Sequence, residues 1–425
     1  LLKDLSRLDL GLECYRAALA ADPDNAVLRA NLAYLLTFDP ASDPADILGE
    51  NLLWNRLHAR GLAAPAPARH PSGRLRVGYV SPDFRYHCQA HFTLPLFAHH
   101  DREAVEVFAY ATVAVPDGVT ERLRGLCEHW RDCAGLDDEA VAERIREDRI
   151  DILVDLTMHM ANGRPLVFAR KPAPVQVAWL AYPGTTGLSA MDYRLTDPYL
   201  DPPGLNDAHY SEASIRLPHT FWCYDPLAEG PDPGPLPART RGHVTFGCLN
   251  NACKVNRAVL ALWGRVLEAV PGSRLLLMAH PGRHRQELLD LLPDPGRVDF
   301  TPFQPRASYL ERYRDIDICL DTFPYNGHTT SLDAFWMGVP VVTRVGGTVV
   351  GRAGWSQLNN LGLPELAAWE DDAFVAVAAE LAADLDRLEA LRRGLRNRMT
   401  ASPLMDAERF ARDLEDVYRR LAGRG

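Results

Sequence analysis

The sequence predicts an α/β protein of two doubly wound, Rossmann-like domains facing a cleft, preceded by a short α-helical segment. Three observations predict it. After Arg74, buried strand-type runs alternate with amphipathic helix-type runs. The alternation comes as two consecutive series, separated by a proline-dense stretch from Asp197 to Pro237. Ahead of Arg74 only a helical period is present.

Taken in order, Leu12, Tyr15, Ala18 and Leu19 share one face of a first helix that stops at Asp22-Pro23, where proline blocks continuation. A second amphipathic helix runs from Val27 to Leu36. Helix, Asp-Pro turn and helix over residues 1–37 read as a tetratricopeptide-like remnant, a unit that cannot bury its apolar face alone. Residues 38–73 read as a helical linker: Phe38 to Asp46 breaks the pattern, Ile47 to Arg60 is helical, and Ala63 to Pro71 is rich in Ala and Pro.

Residues 74–237 form the N-terminal lobe. Its strands are expected at Leu75–Val80, Val105–Thr112, Ile150–Leu156, Val175–Leu180 and Tyr193–Thr196. Helices are expected up to His100, over Val119–Trp130 and over Asp137–Glu147. The stretch Asp197–Pro237 reads as an interdomain connection. Residues 238–400 form the C-terminal lobe, with strands at Val244–Leu249, Arg274–Met278, Val298–Phe300 and Ile316–Leu320. Helices are expected over Arg257–Val270, Arg283–Leu292 and Ala307–Arg314. Residues 401–425 read as a C-terminal helix.

Composition narrows the function. With 47% hydrophobic and 24% charged residues, the 425-residue chain has a globular make-up, and its net charge of -10 argues against nucleic-acid and anionic-membrane partners. No run approaches the ~18 apolar residues of a membrane span, and no basic-then-apolar leader opens the chain. Eight scattered cysteines without a C-x-x-C pair read as reduced thiols of a cytoplasmic protein, with no metal site expected among them. Neither G-x-G-x-x-G nor G-x-x-x-x-G-K-[ST] is present, which disfavours dinucleotide cofactors and P-loop phosphoryl transfer.

One stretch carries most of the chemistry. After the strand ending at Leu320 come a turn through Phe323-Pro324-Tyr325-Asn326-Gly327 and a helix whose first turn is His328-Thr329-Thr330. Unpaired N–H groups, two hydroxyls and an imidazole gather at that helix start, which suits a phosphate or diphosphate. Asp333, one turn further in, suits a ribose hydroxyl. Together they read as a nucleotide-sugar site. Lys254, at the end of the first strand of the second series, is the only lysine after Lys171 in a chain that otherwise uses arginine. A compact ammonium there suits neutralising a leaving phosphate.

In the first series, His87 and His91 stand at i, i+4 after the first strand, on one face of an expected helix start. His87 reads as a substrate or proton-handling group and His91 as structural. His159 follows the strand ending at Leu156 and is expected at the same cleft. Tyr182-Pro-Gly-Thr-Thr-Gly187 and Gly346 to Gly354 are glycine-rich passages through which backbone can approach a ligand.

These residues resemble the O-linked N-acetylglucosamine transferase family, protein glycosyltransferases with tetratricopeptide repeats and a GT-B catalytic core. The resemblance rests on ordered motifs: Arg76 to Phe84, Arg170 to Gln176, Tyr182 to Gly187, Met191 to Tyr193, Tyr210 to Glu212 and Asn326 to Thr330. It implies inverting, metal-independent transfer of a sugar from a nucleotide sugar, UDP-GlcNAc first, to Ser or Thr hydroxyls of a protein or peptide acceptor, without a further cofactor. By resemblance, Lys254 stabilises the departing diphosphate, His328, Thr329 and Thr330 bind it, and Asp333 holds the ribose. Asn251 replaces a family glutamine near the phosphates. Arg306 and Tyr309 replace a lysine and a histidine around the uracil, and Gln304 offers backbone to the base edge. His87 matches a histidine proposed as a base. His159 lies in Asp155-Leu-x-x-His-x-Ala-Asn, closer to plant relatives that transfer fucose from a guanosine donor. A GDP-fucose enzyme and an inert repeat-protein scaffold therefore stand as alternatives.

Overall fold

The computed structural model describes residues 2–68, 73–227 and 230–423. It divides into two compact units, each assembled from separate segments. One unit comprises Cys14–Leu36, Ser42–Leu227 and Pro403–Gly425, and the other Leu1–Glu13, Thr37–Ala41 and Ala228–Ser402.

The first unit is built on a seven-stranded, all-parallel sheet: β1 (Leu75–Ser81), β2 (Val105–Ala111), β3 (His129–Asp132), β4 (Ile152–Asp155), β5 (Val175–Ala178), β6 (Tyr193–Thr196) and β7 (Ala213–Arg216), in the order β3-β2-β1-β4-β5-β6-β7. β4 is buried at every position, as expected of a central strand covered on both faces. Two strands depart from the expected pattern. β3 begins within the last residues of the helix expected over Val119–Trp130, which ends instead at Gly125. His-Trp-Arg-Asp has no alternation of its own; its pairing with β2 decides it. β7 falls inside the proline-dense connection and pairs with β6, its prolines lying outside the four paired residues.

Three helices precede the sheet: Leu8–Ala21, Ala26–Leu36 and Pro44–Trp54, the last continuing as a wider π turn over Asn55–Ala59. Its start is fixed by a capping box between Asp43 and Asp46. It packs on the helix before it: Arg29 pairs with Glu50 at 2.7 Å and Trp54 Nε1 donates to Ala26 O at 2.9 Å. The expected linker runs on into residues 69–72, which lie outside the described residues.

The same unit takes in the helix Ala407–Leu421, which buries Phe410, Leu414, Val417 and Tyr418. Its Glu415 is 1% exposed. The carboxylate accepts from His100 Nδ1 at 2.8 Å and from Asp101 N at 2.9 Å, while Tyr79 OH lies 2.8 Å from His100 Nε2. Burial lowers the His100 pKa despite the glutamate, so a neutral imidazole spans the two partners.

The second unit holds a six-stranded parallel sheet: β8 (Thr245–Cys248), β9 (Arg274–Met278), β10 (Val298–Thr301), β11 (Ile318–Leu320), β12 (Val341–Arg344) and β13 (Ala367–Ala368), ordered β10-β9-β8-β11-β12-β13. After β8 the helix Arg257–Ala269 presents Val259, Leu260, Trp263, Val266 and Leu267 to the core, and Asn256 caps it by accepting from Val259 N at 3.0 Å. β8 and β11 are hydrogen-bonded neighbours. Their C-terminal ends therefore release two loops side by side, where ligands of open α/β sheets bind.

Candidate functional site

Those two loops carry Asn251, Lys254 and the stretch that leads to His328, Thr329 and Thr330. Leaving β8, the chain turns through a short 3₁₀ segment, Ala252–Lys254. Asn251 caps it, its Oδ1 accepting from Cys253 N at 3.1 Å; the side chain expected near the phosphates fixes the lysine turn. Leaving β11, Asp321 organises the second loop. Its carboxylate accepts from Gly327 N at 2.6 Å, Thr322 N at 2.8 Å and Thr343 Oγ1 at 2.8 Å. Burial pushes its pKa up to about 6, against the pull of those three donors. A Cβ on Gly327 would lie 2.3 Å from Ser331 Oγ, so any larger residue there must push that hydroxyl aside.

The two loops meet at Lys254, whose Nζ donates to Asn326 O at 2.6 Å and lies 4.4 Å from the centre of the Tyr325 ring. Two residues on from Asn326, the helix Thr329–Trp336 begins. His328 occupies its N-cap position without capping it by a side-chain hydrogen bond, so the N–H groups of the first turn have no side-chain lid from that residue. His328 Nε2 faces Val350 O at 3.4 Å, a contact that suits a proton on Nε2. Burial, and then the Lys254 charge, hold its pKa well below the ordinary histidine value. The structure thus gathers Lys254, His328, Thr329 and Thr330: an ammonium and a neutral imidazole beside the positive end of a helix dipole, an arrangement with the chemistry to receive an anion.

One turn into that helix, the 2% exposed Asp333 takes both arms of Arg306, at 2.6 and 2.7 Å, and the Tyr309 hydroxyl at 3.1 Å. Tyr309 OH also lies 2.8 Å from Tyr313 OH, which donates to Thr330 O at 3.0 Å. Burial raises both tyrosine pKa values well above normal, so both remain hydroxyls. The carboxylate expected to stand ready for a ribose is already engaged by the two side chains expected around the base. Gln304 stands just before Arg306, its Nε2 donating to Thr301 Oγ1 at 3.4 Å.

The glycine passage Gly346–Gly354 supports the site rather than lining it with N–H groups. Gly346 N and Gly351 N are spent within its own turn, and Gly354 N donates to Asn326 Oδ1 at 3.3 Å. Two residues escaped the sequence reading. Asn256 Nδ2 donates to Phe323 O at 2.7 Å, tying the helix after Lys254 to the second loop. Tyr325 stands between Lys254 and His328, 4.9 Å ring to ring from the histidine. Its place inside the motif was the available signal.

His87 and His159 belong to the first unit. His87 lies in the turn before the helix Ala90–His99, not on a shared helical face with His91. Its Nδ1 accepts from Gln89 N at 3.4 Å and stands 3.7 Å from Asp83, and burial lowers its pKa. His91 is structural: Nδ1 lies 2.7 Å from Asp225 O and the ring stacks on Tyr224. His159 is 1% exposed, donates Nε2–H to Thr186 O at 2.7 Å and meets Trp54 edge-on at 4.9 Å. Burial drives its pKa down to about 4. Such a group holds the glycine loop in place and is not presented to solvent as a base. Glu212 grips the same loop, accepting from Thr186 N at 2.7 Å and Thr185 Oγ1 at 2.7 Å.

All eight cysteines are thiols, and among the described residues no group of three or more His, Cys, Asp or Glu is placed to hold a metal ion. No helix among the described residues is long and apolar enough to cross a membrane.

Comparison with known proteins gives this geometry a family. A model described as glycosyl transferase family 41 matches residues 52–228 and 238–414. A Solanum lycopersicum protein named a probable UDP-N-acetylglucosamine–peptide N-acetylglucosaminyltransferase, SPINDLY, is 42% identical over 364 residues, 82% of this chain and 39% of its own length. The Arabidopsis thaliana protein named SEC, with the same described activity, is 32% identical over 83% of this chain and 38% of its own. The chain therefore spans about 39% of the length of the curated relatives it matches first. Among solved structures, a mutant of the Thermobaculum terrenum O-GlcNAc transferase superposes with a TM-score of 0.93 at 38% identity, covering 99% of this chain and 82% of that one. A Rickettsia africae glycosyltransferase, at TM-score 0.52 and 11% identity over 83% of this chain and 100% of its own, shares the fold alone. The expected GT-B fold, two Rossmann-like sheets on one chain, is the fold observed. Because the matched span takes in both sheets, the lysine turn and the helix mouth, the chain belongs to glycosyl transferase family 41.

Proposed function

We propose that this protein is an inverting glycosyltransferase that moves N-acetylglucosamine from UDP-GlcNAc to Ser or Thr hydroxyls of a protein acceptor. The observation that carries the reading is the meeting of Lys254 Nζ, 2.6 Å from Asn326 O, with the start of the helix Thr329–Trp336. A diphosphate seated there receives the ammonium and the first-turn N–H groups together. The acceptor oxygen attacks the anomeric carbon, the bond from that carbon to the phosphate oxygen breaks, and its electron pair leaves on the diphosphate. Positive charge fixed in advance at that oxygen lowers the barrier, because it interacts more strongly with the departing group than with the bound donor.

His328, neutral and beside the ammonium, serves as a hydrogen-bonding partner of the diphosphate with Thr329 and Thr330. Arg306 and Tyr309, held on Asp333, form the platform for the nucleoside. The acceptor proton goes to His87, which is neutral at pH 7, or to a donor phosphate oxygen; the buried His159 is left as a positioning group. In this reading the charge on the leaving group is met by Lys254 and backbone, without a metal. The helical hairpin at Leu8–Leu36 is read as a repeat unit serving a protein acceptor, with neither nucleic acid nor membrane as partner. The eight thiols support a reducing, cytoplasmic setting.

Lys254→Ala is expected to lower turnover about a hundredfold or more while leaving the melting temperature nearly unchanged, since one such donor is worth about 3–4 kcal/mol in the transition state. Steady-state transfer assays on a peptide pool check it, and near-normal turnover by the variant overturns the role. Thermal shift with UDP-GlcNAc, GDP-fucose and UDP checks the donor, because a ligand that binds only the native form raises its melting point. A rise with GDP-fucose alone overturns the GlcNAc assignment. No nucleotide release with any donor favours the inert scaffold.

A further inference from the structure

We infer that Tyr325 is a positioning residue for Lys254, and that Phe38 from the N-terminal segment holds Tyr325 in place. The inference rests on the proposed role of Lys254 and adds the device that aims it. Tyr325 is 5% exposed and Phe38 2% exposed. Their rings stack 4.5 Å apart with planes 12° from parallel. Lys254 Nζ lies over the same Tyr325 ring, 4.4 Å from its centre, so a ring pinned by Phe38 holds the cation that rests on it. The His328 ring is 4.9 Å away, tilted by 35°. Behind Phe38, Lys3 Nζ stands 5.5 Å from that ring.

A lysine on a flexible four-carbon stem does not hold its ammonium in one spot without help. The hydrogen bond to Asn326 O fixes one N–H direction. The Tyr325 face fixes the other coordinate, the height of Nζ above the loop, without taking up a second N–H. Held in this way, the ammonium stays beside the helix mouth, where the proposed reading seats its ligand. A polar partner in place of the ring would compete with that ligand; an aromatic face attracts the charge and offers no lone pair in line with a proton. The stem of the arrangement reaches the N-terminal segment a second time, because Ser6 Oγ donates to Ala252 O at 2.8 Å, inside the turn that ends at Lys254. Residues 37–41 and 1–13 therefore share one compact unit with the lysine they steady.

The test compares Tyr325→Leu, Tyr325→Phe and Phe38→Leu in the full chain, each checked for folding by its melting curve. Tyr325→Leu is expected to lower kcat by about tenfold while the KM for UDP-GlcNAc changes less than about twofold, and Tyr325→Phe to recover most of the loss. Phe38→Leu is expected to give a smaller fall in kcat with the same pattern. A second readout does not depend on catalysis. The chain has three lysines, Lys3, Lys171 and Lys254, so amine labelling followed by mass spectrometry resolves each one. Labelling of Lys254 relative to Lys171 is expected to rise severalfold in Tyr325→Leu and in Phe38→Leu. Unchanged labelling overturns the inference, as does a loss that appears wholly in KM or that Tyr325→Phe does not recover. If Lys254→Ala retains full transfer while Tyr325→Leu still raises the labelling, the contact stands and it is the catalytic reading of the lysine that fails.

Discussion

His159 shows how much one buried side chain can tie stability to pH. Its pKa is about 4 in the folded protein against 6.5 for the free side chain. The native state therefore stays unprotonated where the unfolded chain takes up a proton. Its contribution is fully present above pH 6.5 and is lost as pH falls toward 4, at a cost of about 3 kcal/mol over that window. Asp155, four residues earlier, works in the opposite direction. Burial lifts its pKa to about 6, so the native state gains a proton before the unfolded one, and stability from this group is lost as pH rises from about 4 through 6. The two slopes partly cancel in the wild type. His159→Gln retains an amide N–H for Thr186 O and removes the titration, so its melting temperature should fall less than the wild type's between pH 6.5 and 4. Parallel slopes in calorimetric melts at several pH values would remove His159 from the account. Lys254 and His328 were legible in the sequence because one is rare in an arginine-rich chain and the other opens a helix after a strand. Tyr325 was not, since its partners Phe38 and Lys254 come from distant parts of the chain and a turn tyrosine has no signature of its own.

At the scale of elements, the start of the helix Thr329–Trp336 is the part most sensitive to backbone position. Gly327→Ala places a methyl 2.3 Å from Ser331 Oγ and 3.2 Å from Asp321 Oδ1. The Ser331 hydroxyl must turn away and the Asp321 carboxylate give by a few tenths of an ångström; with the donor seated as proposed, UDP affinity should fall about threefold or more in isothermal titration, as expected when first-turn N–H groups lose their aim. Asn256→Ala removes a helix cap and the bond to Phe323 O together, with an expected loss of about 2 kcal/mol in denaturant melts. Strands and helices with strong patterns, such as Arg274–Met278 and Asp138–Glu147, were readable within a residue or so of their ends. The edge strands His129–Asp132 and Ala213–Arg216 were not. Each acquires its conformation from the neighbour it pairs with, and four residues of mixed polarity carry no period. The wide turn at Asn55–Ala59 continued a helical pattern that propensity alone extends to Arg60.

At the scale of the whole molecule, the chain enters each compact unit three times. Residues 403–423 lie with the seven-stranded sheet although they follow the six-stranded one in sequence. An amphipathic helix with Phe410, Leu414 and Val417 on one face fits any apolar surface, so the pattern alone does not say which sheet it joins. The structure assigns it through Glu415, whose loss strands His100 Nδ1–H in the interior and takes the acceptor from Asp101 N–H nearer the surface. Glu415→Ala should cost about 2–5 kcal/mol, and Glu415→Gln less, because an amide oxygen still accepts; thermal melts of the two variants decide it. This threading also rules on genetic dissection. A gene cut at the proline-rich junction near residue 237 would yield an N-terminal polypeptide without the helix that covers His100, and a C-terminal polypeptide without Ser6 and Phe38. Neither product would carry every segment of its own compact unit, so two such fragments of this chain should fold stably only when they are made together and trade those short segments.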